Sequence, residues 1–314
     1  MSSNYEYWKS PAVKWLLKEF KVEDAESFMR DEATKLLRIT GQDSPPFSPL
    51  RVATLRGISR IQKTKITSLS QLVPIKGGFQ ILVNSQIGNA YPSMHVETRK
   101  IHQRSTQFTI AHEIGHTYFY DVKSSIPSRP FKDSGSVAEE RLCDIFATEL
   151  LMPAERFNND ATVILKKERN FTKTLLRLSN LYKITLQPIV IRLLELGIHG
   201  NSRPVVIKWT RMINPNKPLD SVPKLRVEWA EPASFPYIPR YRSARLRSIF
   251  EQAAHSKEII CGTVFIKFGG LNGDYFVEAM ALNSGKDTNN TPLNNSLSKS
   301  VLSVVWLKGS PEET

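Results

Sequence analysis

Gln107 to Tyr120 reads QFTIAHEIGHTYFY and contains His112-Glu113-Ile114-Gly115-His116. Positions four apart share one face of an α-helix, so His112 and His116 can hold one cation between their imidazoles. Glu113 stands beside that pair, where its carboxylate can take a proton from a water activated by the cation. Phe108, Ile110, Ala111, Ile114 and Phe119 supply the apolar surround that seats such a helix in a core. The plain alternative is an amphipathic helix whose histidines are surface or satisfied core residues.

A hydrolytic zinc site takes three protein ligands and leaves one position open for water. Ser136 to Pro153, SVAEERLCDIFATELLMP, is a second helical pattern carrying Glu139, Glu140 and Asp144. A carboxylate arriving from such a helix would complete the set. Taken singly, each of these acids is equally an ordinary solvated side chain.

QFTIAHEIGH followed by E-x-x-C-D-x-F-A-T-E-L-L-M-P resembles the ImmA/IrrE family of zinc endopeptidases, whose pattern runs R-F-T-x-A-H-E-x-G-H, then E-x-x-A-N-x-F-A-x-x-L-L-M-P. Phe146, Ala147, Leu150, Leu151, Met152 and Pro153 set the register. That register implies Glu140, not Glu139, as the third ligand beside His112 and His116, with Glu113 as the proton carrier. Cys143 stands where the family usually has alanine and Asp144 where it usually has asparagine. Cys143 is read as a small buried side chain, with a thiol near the cation as the alternative. The resemblance spans roughly Asp24 to Gly200. It implies Zn2+, with Mn2+ or Fe2+ as substitutes, and a helix-turn-helix transcriptional repressor as the protein cut.

The 314 residues carry a formal net charge of +13, a balance that favours an acidic partner, with DNA the first candidate. No apolar run is long enough to span a bilayer, and Glu6, Lys9 and Lys14 interrupt the N-terminal stretch, so no membrane partner is expected. Only Cys143 and Cys261 occur, which argues against a disulfide framework and for a cytoplasmic home.

Several elements must position the site. Helices are predicted over Tyr5 to Phe20, Glu23 to Ile39 and Ser48 to Leu55, and strands over Ser59 to Ile66 and Gln71 to Ile75. Gly77-Gly78 turns the chain into a strand, Phe79 to Asn84. In zinc peptidases the strand before the metal helix commonly lines the cleft, so Phe79, Ile81 and Val83 are the candidate substrate-binding residues. Ser85 to Arg104 is read as a polar connection, with His95 and His102 as weak candidates for assisting the reaction. Tyr118, Tyr120 and His95 are candidates for stabilising an oxyanion.

Thr172 to Leu196 reads as helix, turn, helix, resembling a segment that follows the protease core in the family. Gln187 and Arg192 are its only side chains suited to base edges, so packing is the favoured role. From Asn201 onward, five strand patterns, a basic helical stretch over Arg240 to Ala254 and turns at Gly269-Gly270 and Asn272-Gly273 indicate a second α+β domain. The expected architecture is therefore α+β. A zincin-like metallopeptidase domain would occupy 1–153, a helix-turn-helix-like segment 154–200, and a C-terminal α+β domain 201–314. Longer relatives carry a GAF-like sensor in that last position.

The leading expectation is a zinc endopeptidase that cleaves a repressor to release stress-response or mobile-element genes. The competing ones are a DNA-binding regulator with a structural or vestigial zinc site, and a protease effector of a defence or toxin system.

Overall fold

The structure, a computed structural model, describes residues 9–85, 96–131, 136–199, 204–214, 216, 223–233, 236–245, 247–282 and 300–307, and for 96–105 the backbone only. It is a mixed α+β chain. Two compact units emerge: Met1–Phe157 with Asn180–Thr185, and Asn158–Ser179 with Leu186–Thr314.

The first unit opens with α1 (Pro11–Phe20), α2 (Ala25–Ile39) and the short α3 (Pro49–Ala53). Asp24 caps α2 by accepting from the Ser27 N–H at 2.8 Å, which places the helix start just after it. Met29, Ala33, Leu36 and Leu37 form the buried stripe of α2. Each large apolar side chain so buried contributes about 1.5–3 kcal/mol.

Three strands follow, β1 (Ile58–Thr64), β2 (Ser70–Ile75) and β3 (Gly78–Asn84), in the order β1-β3-β2. β3 runs parallel to β1 and antiparallel to β2. The turn into β3 requires glycine. A Cβ at Gly78 would lie 2.2 Å from the Gly57 carbonyl oxygen, to which Phe79 N–H donates at 2.9 Å.

The helix that carries both histidines, α4 (Val96–His116), starts earlier than expected and absorbs part of the stretch read as a polar connection. Val96 to Thr106 holds no proline or glycine and is rich in ordinary helix formers, so turns established in the apolar half propagate backward. His95 lies outside the described residues, as does the side chain of His102. α5 (Val137–Leu151) is capped by Ser136, whose Oγ accepts from Glu139 N–H. α6 (Ala154–Lys167) and α7 (Phe171–Tyr182) each cross the boundary between the units.

The second unit contains α8 (Leu186–Glu195), β4 (Pro204–Met212), β5 (Lys224–Glu231), α9 (Ile249–His255), β6 (Ile260–Phe268), β7 (Leu271–Leu282) and β8 (Ser300–Trp306). The strands form one antiparallel five-stranded sheet in the order β5-β4-β8-β7-β6. Trp209 stacks on Phe250 of α9 at 4.5 Å in its core.

Two expectations are corrected here. The basic stretch from Arg240 is helical only from Ile249, with Tyr241 and Arg247 at φ of 64° and 63°. The open margin of β5 takes its hydrogen bonds instead: Val227 N–H donates to Arg242 O and Ala244 N–H to Leu225 O. Asn272-Gly273 lies inside β7, because the reversal is already complete at Gly269-Gly270. The asparagine- and serine-rich stretch from Asp287 falls outside the described residues as far as Lys299. Among the described residues no helix is long and apolar enough to cross a membrane.

Candidate metal centre

The face of α4 expected to carry the metal meets α5. A Cβ on Gly115 would come within 3.1 Å of the Cys143 Cα, so the glycine inside the H-E-x-x-H stretch and the small residue opposite it let the two backbones approach. That approach sets both histidines against the acids of α5.

His112 Nε2 and His116 Nε2 are 3.1 Å apart. Glu140 Oε2 lies 3.1 Å from the first and Oε1 3.6 Å from the second. Bonds of about 2.0–2.1 Å in a tetrahedral zinc site put neighbouring donor atoms roughly 3.3 Å apart. The three groups therefore fit a divalent cation in both chemistry and spacing. The other ring nitrogens are occupied from behind. His112 Nδ1 donates to Asp144 at 2.8 Å, and His116 Nδ1 to Glu139 at 2.6 Å. Such partners fix the tautomer and present each Nε2 lone pair forward.

Glu139 is wholly buried. Burial works against its charge, but His116 and Arg129 outweigh it and hold its carboxyl below the usual range. Arg129 Nη1 donates to Glu139 at 2.8 Å, and its guanidinium lies 4.8 Å above the Tyr120 ring. Burial likewise lowers the proton affinity of His112, yet Asp144 and Glu140 raise it to about 9.

Cys143 also stands near the pair: His112, His116 and Cys143 offer donor atoms within 4.8 Å of one another. The Glu140 oxygens are closer, and burial followed by the surrounding carboxylates pushes the Cys143 thiol well above its ordinary range. A thiol must lose its proton to ligate. Cys143 is thus a poorer third donor than Glu140.

The site opens into a cleft of about 820 Å³ lined by His112, Glu113, His116, Glu140, Arg129 and most of one strand, β2. Glu113, largely buried, accepts a hydrogen bond from the Ser70 hydroxyl. β2 is an edge strand whereas β3 is central, flanked by β1 and β2. Phe79, Ile81 and Val83 are buried in the core. The substrate role expected for them is therefore corrected, because a strand paired on both sides has no free backbone groups to offer. Its neighbour β2, which lines the cleft, has an outer edge with no strand partner among the described residues.

Tyr118 is removed from the oxyanion candidates: it is fully buried, donates to Glu32 at 2.9 Å and lies under Arg56. Tyr120 does line the cleft. Sequence reasoning passed over Ser70 and Arg129, which lie 43 and 10 residues from the acids they bond. The family register set Glu139 aside as a ligand, and helix periodicity could not say which acid faces which nitrogen.

Residues 84–194 match the peptidase family described as the IrrE N-terminal-like domain. The likeness is to this stretch of the chain. Both histidines and all the acids around them fall inside it, whereas the sheet β1-β3-β2 precedes it almost entirely. A solved Mycobacterium tuberculosis transcriptional regulator is similar at 14% identity, over 89% of this chain and 75% of that one, with a TM-score of 0.45. No curated protein matches the sequence.

Proposed function

We propose that the first unit is a metal-dependent endopeptidase in which His112, His116 and Glu140 hold a divalent cation and Glu113 carries the proton. One observation supports this above the rest: two Nε2 atoms and a carboxylate converge within 3.6 Å at a cleft that Glu113 also lines. The mixed imidazole and carboxylate set suits zinc first, with manganese or iron as substitutes. When bound, the cation supplies Lewis acidity toward the scissile carbonyl and the attacking water.

The chain does the rest. Asp144 and Glu139 hold the imidazoles in the tautomer that faces the cleft. An extended substrate lies along the free edge of β2, pairing through its backbone. Glu113, oriented by Ser70, accepts the proton of the attacking water and delivers it to the departing amine as the C–N bond breaks.

We carry over from the family resemblance a helix-turn-helix repressor as substrate, a peptidase domain over 1–153, the helical segment 154–200 and a GAF-like sensor over 201–314. The DNA-binding reading has little to favour it, since Gln187 donates to Glu231 and Arg192 is buried and paired with Glu195. The test is incubation of zinc-loaded protein with the repressor encoded beside it, followed by mass spectrometry. Glu113→Gln should keep its metal and lose cleavage by roughly 10²–10⁴-fold. Equal cleavage by the variant ends the mechanism. Cleavage of unrelated proteins instead of the repressor would point to the effector reading.

A further inference from the structure

The second unit carries a cavity of about 460 Å³ that none of the chemistry above uses. One wall is β6, the last strand of its sheet, whose outer edge has no strand partner among the described residues. The other wall belongs to a strap that begins at Tyr237, of which Arg242 to Arg245, Arg247 and Ser248 line the cavity. This strap links the two margins of the sheet. Tyr237 O, at its start, accepts from Gly270 N–H at 2.8 Å beside the β6–β7 turn, and Ala244 N–H donates to Leu225 O on β5. The sheet curls enough for both margins to face one space: the Trp209 ring on β4 is 5.8 Å from that of Phe268 on β6, although β8 and β7 lie between their strands.

Arg242, Arg245 and Arg247 from the strap and Lys267 from β6 line the cavity, and no carboxylate does. All four cations are exposed, and among the described residues their side chains make no ion pair. Elsewhere in the same unit the pattern differs: Lys208 pairs with Glu228 at 2.9 Å and Arg211 with Glu251 at 2.8 Å. A lysine is an ordinary guard on an open edge. The three arginines belong to the facing wall, where no open edge calls for guarding. Between them run the partly buried Ile260, Val264 and Phe268, beside Phe265 at 59% exposure.

We propose that this groove docks an extended acidic segment of a partner protein, which adds to β6 as a further strand. From Gly262 to Phe268 the outer edge of β6 has no strand partner among the described residues, and its N–H and C=O groups can serve main-chain pairing. The facing arginines set the sign of the charge a bound segment must carry. Alternation along a strand would send carboxylates toward them and apolar side chains toward Ile260, Val264 and Phe268.

The experiment uses the full chain and three labelled hexapeptides in fluorescence anisotropy: alternating Glu-Val, alternating Lys-Val, and Glu-Val with alternate amides N-methylated. Glu-Val should bind about tenfold or more tighter than either of the others, and should slow hydrogen exchange of the β6 amides. Triple charge reversal, Arg242→Glu with Arg245→Glu and Arg247→Glu, should weaken that binding by about tenfold or more. These exposed side chains make no ion pair among the described residues, and an unchanged circular dichroism spectrum checks the fold. Equal binding of the N-methylated peptide, or of a short single-stranded DNA, with no protection of β6 would mean the groove reads charge alone and would overturn strand addition. So would binding that survives the charge reversal.

Discussion

Arg129 closes a hydrogen-bonded chain that ends on His116. It donates to Glu139, and Glu139 accepts from His116 Nδ1. Removing the guanidinium leaves a buried carboxylate with a single partner and frees the His116 ring to turn. Arg129→Ala should therefore cost roughly 10–100-fold in metal affinity, measured by competition with a chelator, and Arg129→Lys should recover part of it. If the arginine served only to pack Tyr120, affinity would not move.

His112 adds a pH dependence. Despite its burial, Asp144 and Glu140 raise it from 6.5 to about 9 when no cation neutralises them. A histidine raised in the folded state stabilises most below its unfolded pKa and loses that contribution as pH climbs through the folded one. Chelated protein should thus lose stability from about pH 6.5 to about pH 9, seen as a falling melting temperature. Loading zinc near neutrality should release a proton, detectable as a binding enthalpy that depends on the buffer.

At the scale of elements, the close crossing of α4 and α5 sets Glu140 against the two histidines. Gly115→Ala places a Cβ 3.1 Å from the Cys143 Cα and 3.3 Å from its Cβ, against a helix backbone that cannot yield cheaply. The expected cost is about 1–3 kcal/mol in denaturant unfolding, with weaker metal binding as Glu140 is pushed from the histidines. The spacing of His112 and His116 made one face of one helix legible in the sequence, because helical periodicity is local. The ranking of Glu139 and Glu140 was legible only through the family register. Which strand lines the cleft was not legible at all: β2 and β3 have similar composition, and their order depends on pairings with β1 that chain order does not encode.

Across the whole molecule, the second unit is tied together by a buried acid. Glu278 on β7 accepts from the backbone N–H of Phe171 at 3.1 Å, from that of Thr172 at 2.6 Å, and from the Thr172 hydroxyl. It thereby caps the start of α7. Glu278→Ala would strand these donors and should cost about 3 kcal/mol, read from the shift in chemical unfolding. Metal acts on global stability through mass action. Free zinc at about a hundred times its dissociation constant should add about 2.7 kcal/mol, so a chelator should lower the melting temperature and excess zinc restore it.

The sequence by itself determined that His112 and His116 share one face of a helix with Glu113 beside them, and the α+β character of both halves. These follow from residue type and short-range periodicity, which local backbone geometry converts directly into shared faces. Tertiary structure alone decided that β2 is an edge strand along the cleft, that Arg129 braces His116 through Glu139, and that the strap facing β6 gathers arginines with no ion pair among the described residues. Each of those depends on segments far apart in the chain being packed side by side, and such contacts leave no period in the sequence to read.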